Sequence, residues 1–372
     1  MASSVDFSYC FGCGVCAKAC PKDALTIDYD AEGFYKPSVD KNKCINCGIC
    51  LDVCGFNHDN VAGVLNPTLD SYAAWSKNSD VRKKCSSGGV AFELALEGIR
   101  KGFRFVGVRY NAEKKRAEHY IATTEEELES SVGSKYIQSY TVDGFAEIDK
   151  KNKYIVVGSP CQIDSLRRYA RKKKIEENFI LVDFFCHGVP SHFMWEQYCR
   201  ENEKKVGRIK NVAWRNKLYN WHDSWLMCLD GEKGSVKSAF SKGDLFFRYF
   251  LKHYCLGRQC HNDCKYKMFK SSADFRIGDL WGSRYKSNQE GVSGFVVLSK
   301  RGQEFLNQCS SIELIQTPFD VVTEQQMNNN ARKNPFRGLA IWWLRHGLSM
   351  KILFSFCQPF YKVICKIVKH KK

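Results

Sequence analysis

Cys10, Cys13, Cys16 and Cys20, followed by Pro21, stand in the spacing C-x2-C-x2-C-x3-C-P, and Cys44, Cys47, Cys50 and Cys54 repeat that spacing. Three thiols at such short steps converge on one face of an iron–sulfur cubane, while the fourth of each run ligates the other cluster. The spacing therefore predicts one [4Fe-4S] cluster on Cys10, Cys13, Cys16 and Cys54, and a second on Cys44, Cys47, Cys50 and Cys20. Gly12, Gly14 and Gly48 suit a backbone that wraps closely around inorganic sulfide. Zinc sites usually pair two C-x2-C knuckles instead of repeating a four-cysteine run, and disulfide scaffolds belong to secreted chains, so the pattern argues against both.

Further along, Cys161 and Cys186 each follow a buried-type apolar run, YIVVG and FILVDFF. They stand just past the carboxyl ends of expected strands, where open α/β sheets bind ligands. Cys260 and Cys264 lie in CLGRQCHNDCKYK, a metal-like C-x3-C with no local partner pair. Cys161 and Cys186 are candidates to complete it as a third four-thiolate site, with His187 and His261 as rival ligands. Cys199, Cys228, Cys309, Cys357 and Cys365 are isolated and read as small core hydrophobes; Cys85 and Cys255 stay open. Ser86-Ser87-Gly88-Gly89 opens a helix and reads as an anion site or as an ordinary N-cap. Gly133-Ser134-Lys135 reads as a phosphate-binding turn or as a surface loop.

The elements that must position these groups follow from periodicity. Residues 1–60 form a ferredoxin-like module with two strand-like pieces about a Glu32-Gly33 turn, and 61–70 a linker. Strands are expected at Tyr72–Lys77, Phe103–Tyr110, Glu118–Thr123, Tyr154–Gly158, Phe179–Phe185, Val212–Arg215, Trp225–Leu229, Ser235–Phe240 and Gly291–Leu298, and Ala273–Gly282 reads as a strand running into a tight turn. Helices are expected from Val90, after Cys161, over Asp244–Tyr254 and over Lys300–Gln308. In the tail, Trp342-Trp343-Leu344 forms an aromatic cluster. Pro359 starts an amphipathic helix with Lys362, Lys366 and Lys369 on one face, a pattern suited to a membrane surface or to packing on the body.

The chain has 372 residues and a net charge of +17, enough length for two or three domains. Residues 1–60 carry five Lys against eight acids, whereas 332–372 carry ten Lys or Arg and no acid. No apolar run approaches the ~18 residues of a membrane span. The N-terminus has neither a basic nor an apolar signal region, so the chain reads as cytoplasmic, peripheral at most at the inner face of the membrane. Nineteen Cys in such a setting point to metal and redox use. No nucleic-acid module accompanies the basic tail, and a nucleic-acid partner is not expected.

Taken in order, Ser86–Gly89, Gly133-Ser134-Lys135-Tyr136, Gly158-Ser159-Pro160-Cys161-Gln162, Phe185-Cys186-His187-Gly188-Val189-Pro190, Cys260/Cys264 and Gly278-Asp279-Leu280-Trp281-Gly282 resemble the family of coenzyme F420 hydrogenase/dehydrogenase beta subunits. The resemblance covers roughly residues 70–330. It implies an α/β (α+β) fold: a bacterial-type 2[4Fe-4S] ferredoxin module (1–60), an N-terminal FAD-binding part (70–150), a C-terminal FAD/[4Fe-4S] part (151–332) and a basic tail (333–372). It implies FAD beside a third cluster, with Ser86, Ser87, Gly88, Gly89, Ser134 and Lys135 at the phosphates or ribose. Ser159, Gln162, His187, Gly188 and Asp279 would line the flavin, His187 as proton donor or as a donor beside the cluster. Cys161, Cys186, Cys260 and Cys264 would ligate the third cluster, although many relatives have C-x2-C where this chain has C-x3-C. The function implied is an FAD- and [4Fe-4S]-dependent oxidoreductase acting on an organic substrate or deazaflavin, with an association to polysaccharide biosynthesis. The alternative is a non-catalytic electron relay docked on a hydrogenase or dehydrogenase subunit or served by ferredoxin.

Overall fold

The computed structural model describes residue 7 and residues 9–63, 70–261 and 264–370, with 362–370 described by backbone alone. The N-terminal module is built on a hairpin of β1 (Leu25–Tyr29) and β2 (Tyr35–Val39), in register from Leu25↔Val39 to Tyr29↔Tyr35. Two short helices, Val15–Ala19 and Ile49–Asp52, each carry the third cysteine of a run and start after a left-handed glycine, Gly14 and Gly48. A Cβ on Gly14 would run into Thr141 Oγ1, so the module meets the body there at backbone distance.

The body contributes β3 (Asp70–Ser76), β4 (Arg104–Asn111), β5 (Arg116–Ala122), β6 (Ser139–Tyr140), β7 (Tyr154–Val157) and β8 (Phe179–Phe184). Then β9 (Ile209–Ala213), β10 (Leu226–Gly231) and β11 (Gly234–Ala239) form a separate antiparallel sheet. The chain returns to the main sheet with β12 (Phe275–Asp279), β13 (Ser293–Val297) and β14 (Ile312–Gln316). Among the described residues that sheet has nine strands, ordered β14-β3-β13-β12-β8-β7-β4-β5-β6. Its centre, β12-β8-β7-β4, is parallel, and β13, β3 and β14 add antiparallel to it.

Central parallel strands are buried on both faces, which is why YIVV and FILVDF read as unbroken apolar runs. The pleat sends Tyr154, Val156, Phe179 and Leu181 to one face. There they share a core with Ile163 and Leu166 of the helix Pro160–Lys172 and with Cys13, Val15 and Val53 of the N-terminal module. Ile155, Ile180 and Val182 point the other way, into a core with Val90, Leu94 and Leu96 of the helix Val90–Arg100. Each such side chain contributes roughly 1.5–3 kcal/mol by leaving water. A third core joins Trp195, Trp214 and Phe246 to Phe34 and to Leu344, Leu353 and Phe354 of the C-terminal helices.

The helix His192–Val206 has no counterpart among the expected elements, because its inward face includes His192 and Gln197 beside Met194, Trp195 and Tyr198 and breaks the apolar stripe. The edge strand β14 has none either; its last residues, Ile315 and Gln316, are exposed. The tail differs from its expectation. Trp342, Trp343 and Leu344 lie in a helix, Arg337–Arg345, and Pro359 does not start a helix but sits inside one that runs Met350–His370. That helix begins earlier because Glu201 accepts the Met350 N–H at 2.8 Å and because Met350, Leu353, Phe354 and Cys357 are buried. Pro359 removes one helical donor, on the exposed side. The side chains of Lys362, Lys366 and Lys369 lie outside the described residues, as do positions 64–69 of the linker.

Glu32, at the tip of the β1–β2 hairpin, binds Arg258 Nη2 at 2.5 Å and the buried Arg337 Nη2 at 2.7 Å. Burial pushes its carboxyl up, but the two guanidiniums outweigh it and hold it down at about 2. A depressed carboxylate stabilises the fold above its unfolded value and loses that contribution as pH falls through its folded value. The difference in thermal midpoint between wild type and Glu32→Gln is therefore expected to be constant above about pH 4.5 and to shrink as pH falls toward about 2. Melting curves across that window check it.

Candidate metal centres and the site beside them

Two pockets open within the N-terminal module. Cys10, Cys13, Cys16, Cys50 and Cys54 line one, with Gly12, Gly14, Leu25 and Ile27. Cys20, Cys44, Cys47 and Cys50 line the other, with Pro21, Ile45 and Gly48. Each pocket mixes thiols of the two runs, and Cys50 lines both. The first pocket is the inner one: Cys10 and Cys13 are buried, and burial pushes their thiols up to about 11 and about 12. The second reaches the surface, where Cys47 and Ile45 are exposed. Among the described residues no three His, Cys, Asp or Glu side chains converge as a single ion requires. A buried cluster of thiols is unstable as thiolates unless positive charge joins them, and the inner pocket's Gly12 N–H already donates to Cys10 Sγ at 3.3 Å. Iron–sulfur cubanes fit this donor set, its burial and its two pockets.

Cys161 opens the helix Pro160–Lys172, under a capping box in which the Ser159 N–H donates to Gln162 Oε1 at 2.9 Å. Gln162 Nε2 donates onward to Ser139 on β6 at 3.0 Å, so Gln162 fixes the turn. Ser159 Oγ lies 3.2 Å from Cys161 Sγ. The loop after β8 is laced to the loop before Cys260 by Ser191 N–H to Cys255 O (2.8 Å) and Gly257 N–H to Val189 O (3.0 Å). Gly188, at φ +100°, makes the approach feasible: a Cβ there would stand 2.7 Å from Leu256 and 3.0 Å from the Cys260 Cβ. Cys161 thereby comes within electrostatic reach of Cys186 and Cys260, and those two of Cys264. Burial first, then neighbouring thiols, push Cys260 up to about 12, and burial pushes Cys161 far up. Cys161 also feels Cys13 of the inner pocket. His261 is buried with neither ring nitrogen hydrogen-bonded among the described residues; Asn262 and Asp263 lie outside them. Cys199, Cys228, Cys255, Cys309 and Cys357 are buried.

From Cys186 a hydrogen-bonded chain leads away. His187 Nε2 meets Gln326 Oε1 at 3.2 Å, and Gln326 Nε2 donates to Asp279 O at 2.6 Å. Burial and then the nearby Lys267 push His187 below its ordinary value. The Asp279 carboxylate accepts from Arg215 Nη1 at 3.0 Å and from Trp221 Nε1 at 2.9 Å. Trp221 stacks on Trp281 at 5.0 Å between centroids, 7° apart, and the Arg215 guanidinium lies over both Trp225 and Trp281. His222, against both tryptophans of the stack, has a buried Nε2 with no partner among the described residues. This is an aromatic, charged and hydrogen-bonded cluster in which Trp221 and Arg215 are buried and Trp225 and Trp281 are partly exposed.

The residues expected at phosphate divide. Ser86 and Ser134 come together, the Ser134 N–H donating to Ser86 Oγ at 2.9 Å. Ser87 donates to Val292 O, and Gly88 N–H to Ser293 Oγ; Gly89 is the left-handed N-cap of the helix Val90–Arg100. Lys135 donates to the carbonyls of Ser130, Ser131 and Val132, which uses all three of its protons, and burial brings it down to about 7. Lys217, which sequence reasoning passed over, donates to the carbonyls of Arg82, Ser87 and Glu290, each at 2.6 Å. It staples the Ser86–Gly89 turn to the loop before β13. Arg215, Trp221, Gln326 and Asp164 were passed over as well. Gln326 stands in a stretch of side-chain amides, with Gln325 and Asn328–Asn330.

Thiol sets of this kind on an α/β body define an iron–sulfur electron-transfer protein. Residues 9–57 match the family model "4Fe-4S dicluster domain". Residues 71–143 match the N-terminal model, and residues 151–318 the C-terminal model, of the "Coenzyme F420 hydrogenase/dehydrogenase, beta subunit". The chain belongs to this family of coenzyme F420 hydrogenase/dehydrogenase beta subunits, with an N-terminal dicluster domain. It is 25% identical over 316 residues to the F subunit of the F(420)H(2) dehydrogenase of Methanosarcina mazei, covering 79% of this chain and 84% of that protein. A chain of the F420-reducing [NiFe] hydrogenase complex from Methanosarcina barkeri superposes with TM-score 0.49 at 15% identity, over 80% of this chain and 94% of that one.

Asp164, one turn beyond Cys161, is fully buried and binds Ser272 Oγ (2.5 Å), the Ala62 N–H (2.5 Å), Tyr266 OH (2.9 Å) and Arg168 (3.4 Å). Removing one member of a buried charged network costs about 3–5 kcal/mol. Asp164→Ala is expected to lose that much in anaerobic chemical unfolding, and to gain protease cleavage over residues 55–63.

Proposed function

We propose that the chain is the iron–sulfur electron-transfer subunit of a hydrogenase- or dehydrogenase-type assembly. It connects a protein redox partner at its exposed N-terminal loop to an organic two-electron carrier at Asp279. The observation that carries this reading is the serial order of the thiol sets: exposed Cys47, buried Cys10 and Cys13, then Cys161 beside Cys13. Cys20, Cys44, Cys47 and Cys50 would hold the outer cluster, Cys10, Cys13, Cys16 and Cys54 the inner one, and Cys161, Cys186, Cys260 and Cys264 a third. The name of the Methanosarcina mazei relative, one subunit of a dehydrogenase, favours a subunit over a stand-alone enzyme.

FAD is the organic group we assign to the body. The Trp221–Trp281 stack, the unpartnered His222 Nε2 and the Asp279 carboxylate fit its ring, and Ser86 and Ser134 fit its polar tail. Ser87, Gly88 and Gly89 shape the turn that opens the helix Val90–Arg100, and the Lys135 ammonium is held by three carbonyls of its own chain. When bound, a flavin supplies exchange between one- and two-electron chemistry. Arg215 keeps its charge because Asp279 offsets the burial that would lower it, and it orients the Asp279 carboxylate. His187 stands between the third thiol group and Gln326, placed to donate a hydrogen bond to either side. A deazaflavin is the carrier class suggested by the same relative's name. Nothing among the described residues argues for a polysaccharide substrate.

Full-length protein purified anaerobically is expected to contain about twelve iron atoms, and Cys161→Ser about eight, for three and two cubanes. With a low-potential donor, the N-terminal clusters of Cys161→Ser still reduce, while reduction of bound flavin slows or stops. Flavin reduction at the wild-type rate in Cys161→Ser overturns the serial arrangement. Turnover of donor and soluble acceptor by the isolated wild-type chain replaces the subunit reading with that of a self-sufficient oxidoreductase.

A further inference from the structure

The C-terminal helix Met350–His370 has more apolar surface than its packing uses. Met350, Leu353, Phe354 and Cys357 are buried against the body. On another side Ile352, Phe356 and Phe360 are 61%, 60% and 54% exposed. Four-residue steps advance only about 40° around a helix, so the three form one stripe, and the rings of Phe356 and Phe360 stand 5.7 Å apart. The preceding helix Arg337–Arg345 exposes Leu339 and Trp342, and the connection exposes Leu348. A concentration of large apolar side chains of this kind marks an interaction surface. Its electrostatic setting is one-sided. No acid follows Glu324 in the sequence. Arg332, Lys333, Arg345 and Lys351 are exposed, and the sequence continues with Lys362, Lys366, Lys369, Lys371 and Lys372.

We propose that this stripe and its cationic flanks dock the chain on an anionic lipid surface, the helix lying along the headgroups with Ile352, Phe356 and Phe360 inserted. Apolar insertion and attraction to anionic headgroups are the two terms that hold such helices, and an exposed Trp suits the same zone. No helix of the described residues is long and apolar enough to cross a bilayer, which leaves the surface-lying mode. A second copy is a poor occupant, since it would bring the same acid-free segment against itself. An electron carrier docked this way meets membrane-embedded partners by diffusion in two dimensions.

The test is co-sedimentation of the full-length protein with phosphatidylglycerol–phosphatidylcholine vesicles and with pure phosphatidylcholine vesicles. Binding to the anionic vesicles is expected, falling at about 1 M salt, where the screening length is about 3 Å. Phe356→Ser/Phe360→Ser is expected to weaken it by at least about ten-fold, the weight of one or two apolar side chains. Iron content and circular dichroism unchanged from wild type show that this variant is folded. Lys351→Glu, at an exposed site, tests the electrostatic term separately and weakens binding a few-fold. No binding to anionic vesicles, or equal binding to neutral ones, overturns the proposal. So does a wild-type oligomer in size-exclusion chromatography that the double substitution dissociates, because the stripe then belongs to a second copy.

Discussion

A carboxylate with no exposed surface, Asp164, is the point on which the arrangement of thiol groups depends. It sits one helical turn past Cys161 and gathers groups from three parts of the chain: the end of the N-terminal module at Ala62, the segment after the third thiol group at Lys265 and Tyr266, and Ser272 before β12. Lys265 also donates to the carbonyls of Gly55, His58 and Asn60. The next residue of the helix, Ser165, accepts the Gly55 N–H at 2.9 Å. One helix therefore carries a candidate cluster ligand at its start and the module's anchor in its next turn. The separation between Cys13 and Cys161 is set by a rigid element instead of a hinge.

The same economy of position governs the other end of the site. Asp279 closes β12 and faces the aromatic stack, while its backbone carbonyl receives Gln326 and so reaches His187. Buried charge here is paired, as desolvation demands: Asp279 with Arg215, and deeper in the sheet Asp183 with Arg276 at 2.6 Å. The thiols are the exception. Cys10 and Cys13 are buried and burial pushes both thiols up, while Cys47 reaches the surface.

Much of this was legible in the sequence because it is local. Two C-x2-C-x2-C-x3-C runs state their chemistry at short range, and YIVV and FILVDF announce a doubly covered parallel core. What stayed hidden depends on residues far apart in sequence. Glu32 meets Arg258 and Arg337 only in the fold. Asp164 reads as an ordinary polar position on a helix, and Lys217 as a loop cation. At Lys135 a Gly-Ser-Lys turn has the composition of a phosphate site, and its ammonium donates to three carbonyls of its own chain. The C-terminal helix was misplaced at its start because Pro359 is a strong local signal, whereas the Glu201 carboxylate that caps Met350 lies on another helix.

The strand order has a consequence for how the molecule comes into being. Among the described residues β3, at the start of the body, pairs with β13 and β14 from near its end, and β8 waits for β12. During synthesis β3 leaves the ribosome without either neighbour, and non-local pairings of this sort close late. The N-terminal hairpin, by contrast, is complete within a few dozen residues. The module that gathers eight of the thiols can therefore fold and take up its metal while the body is still an open chain. The body then has a preformed object to close upon, and the assembly of this protein becomes ordered in time from its N-terminus.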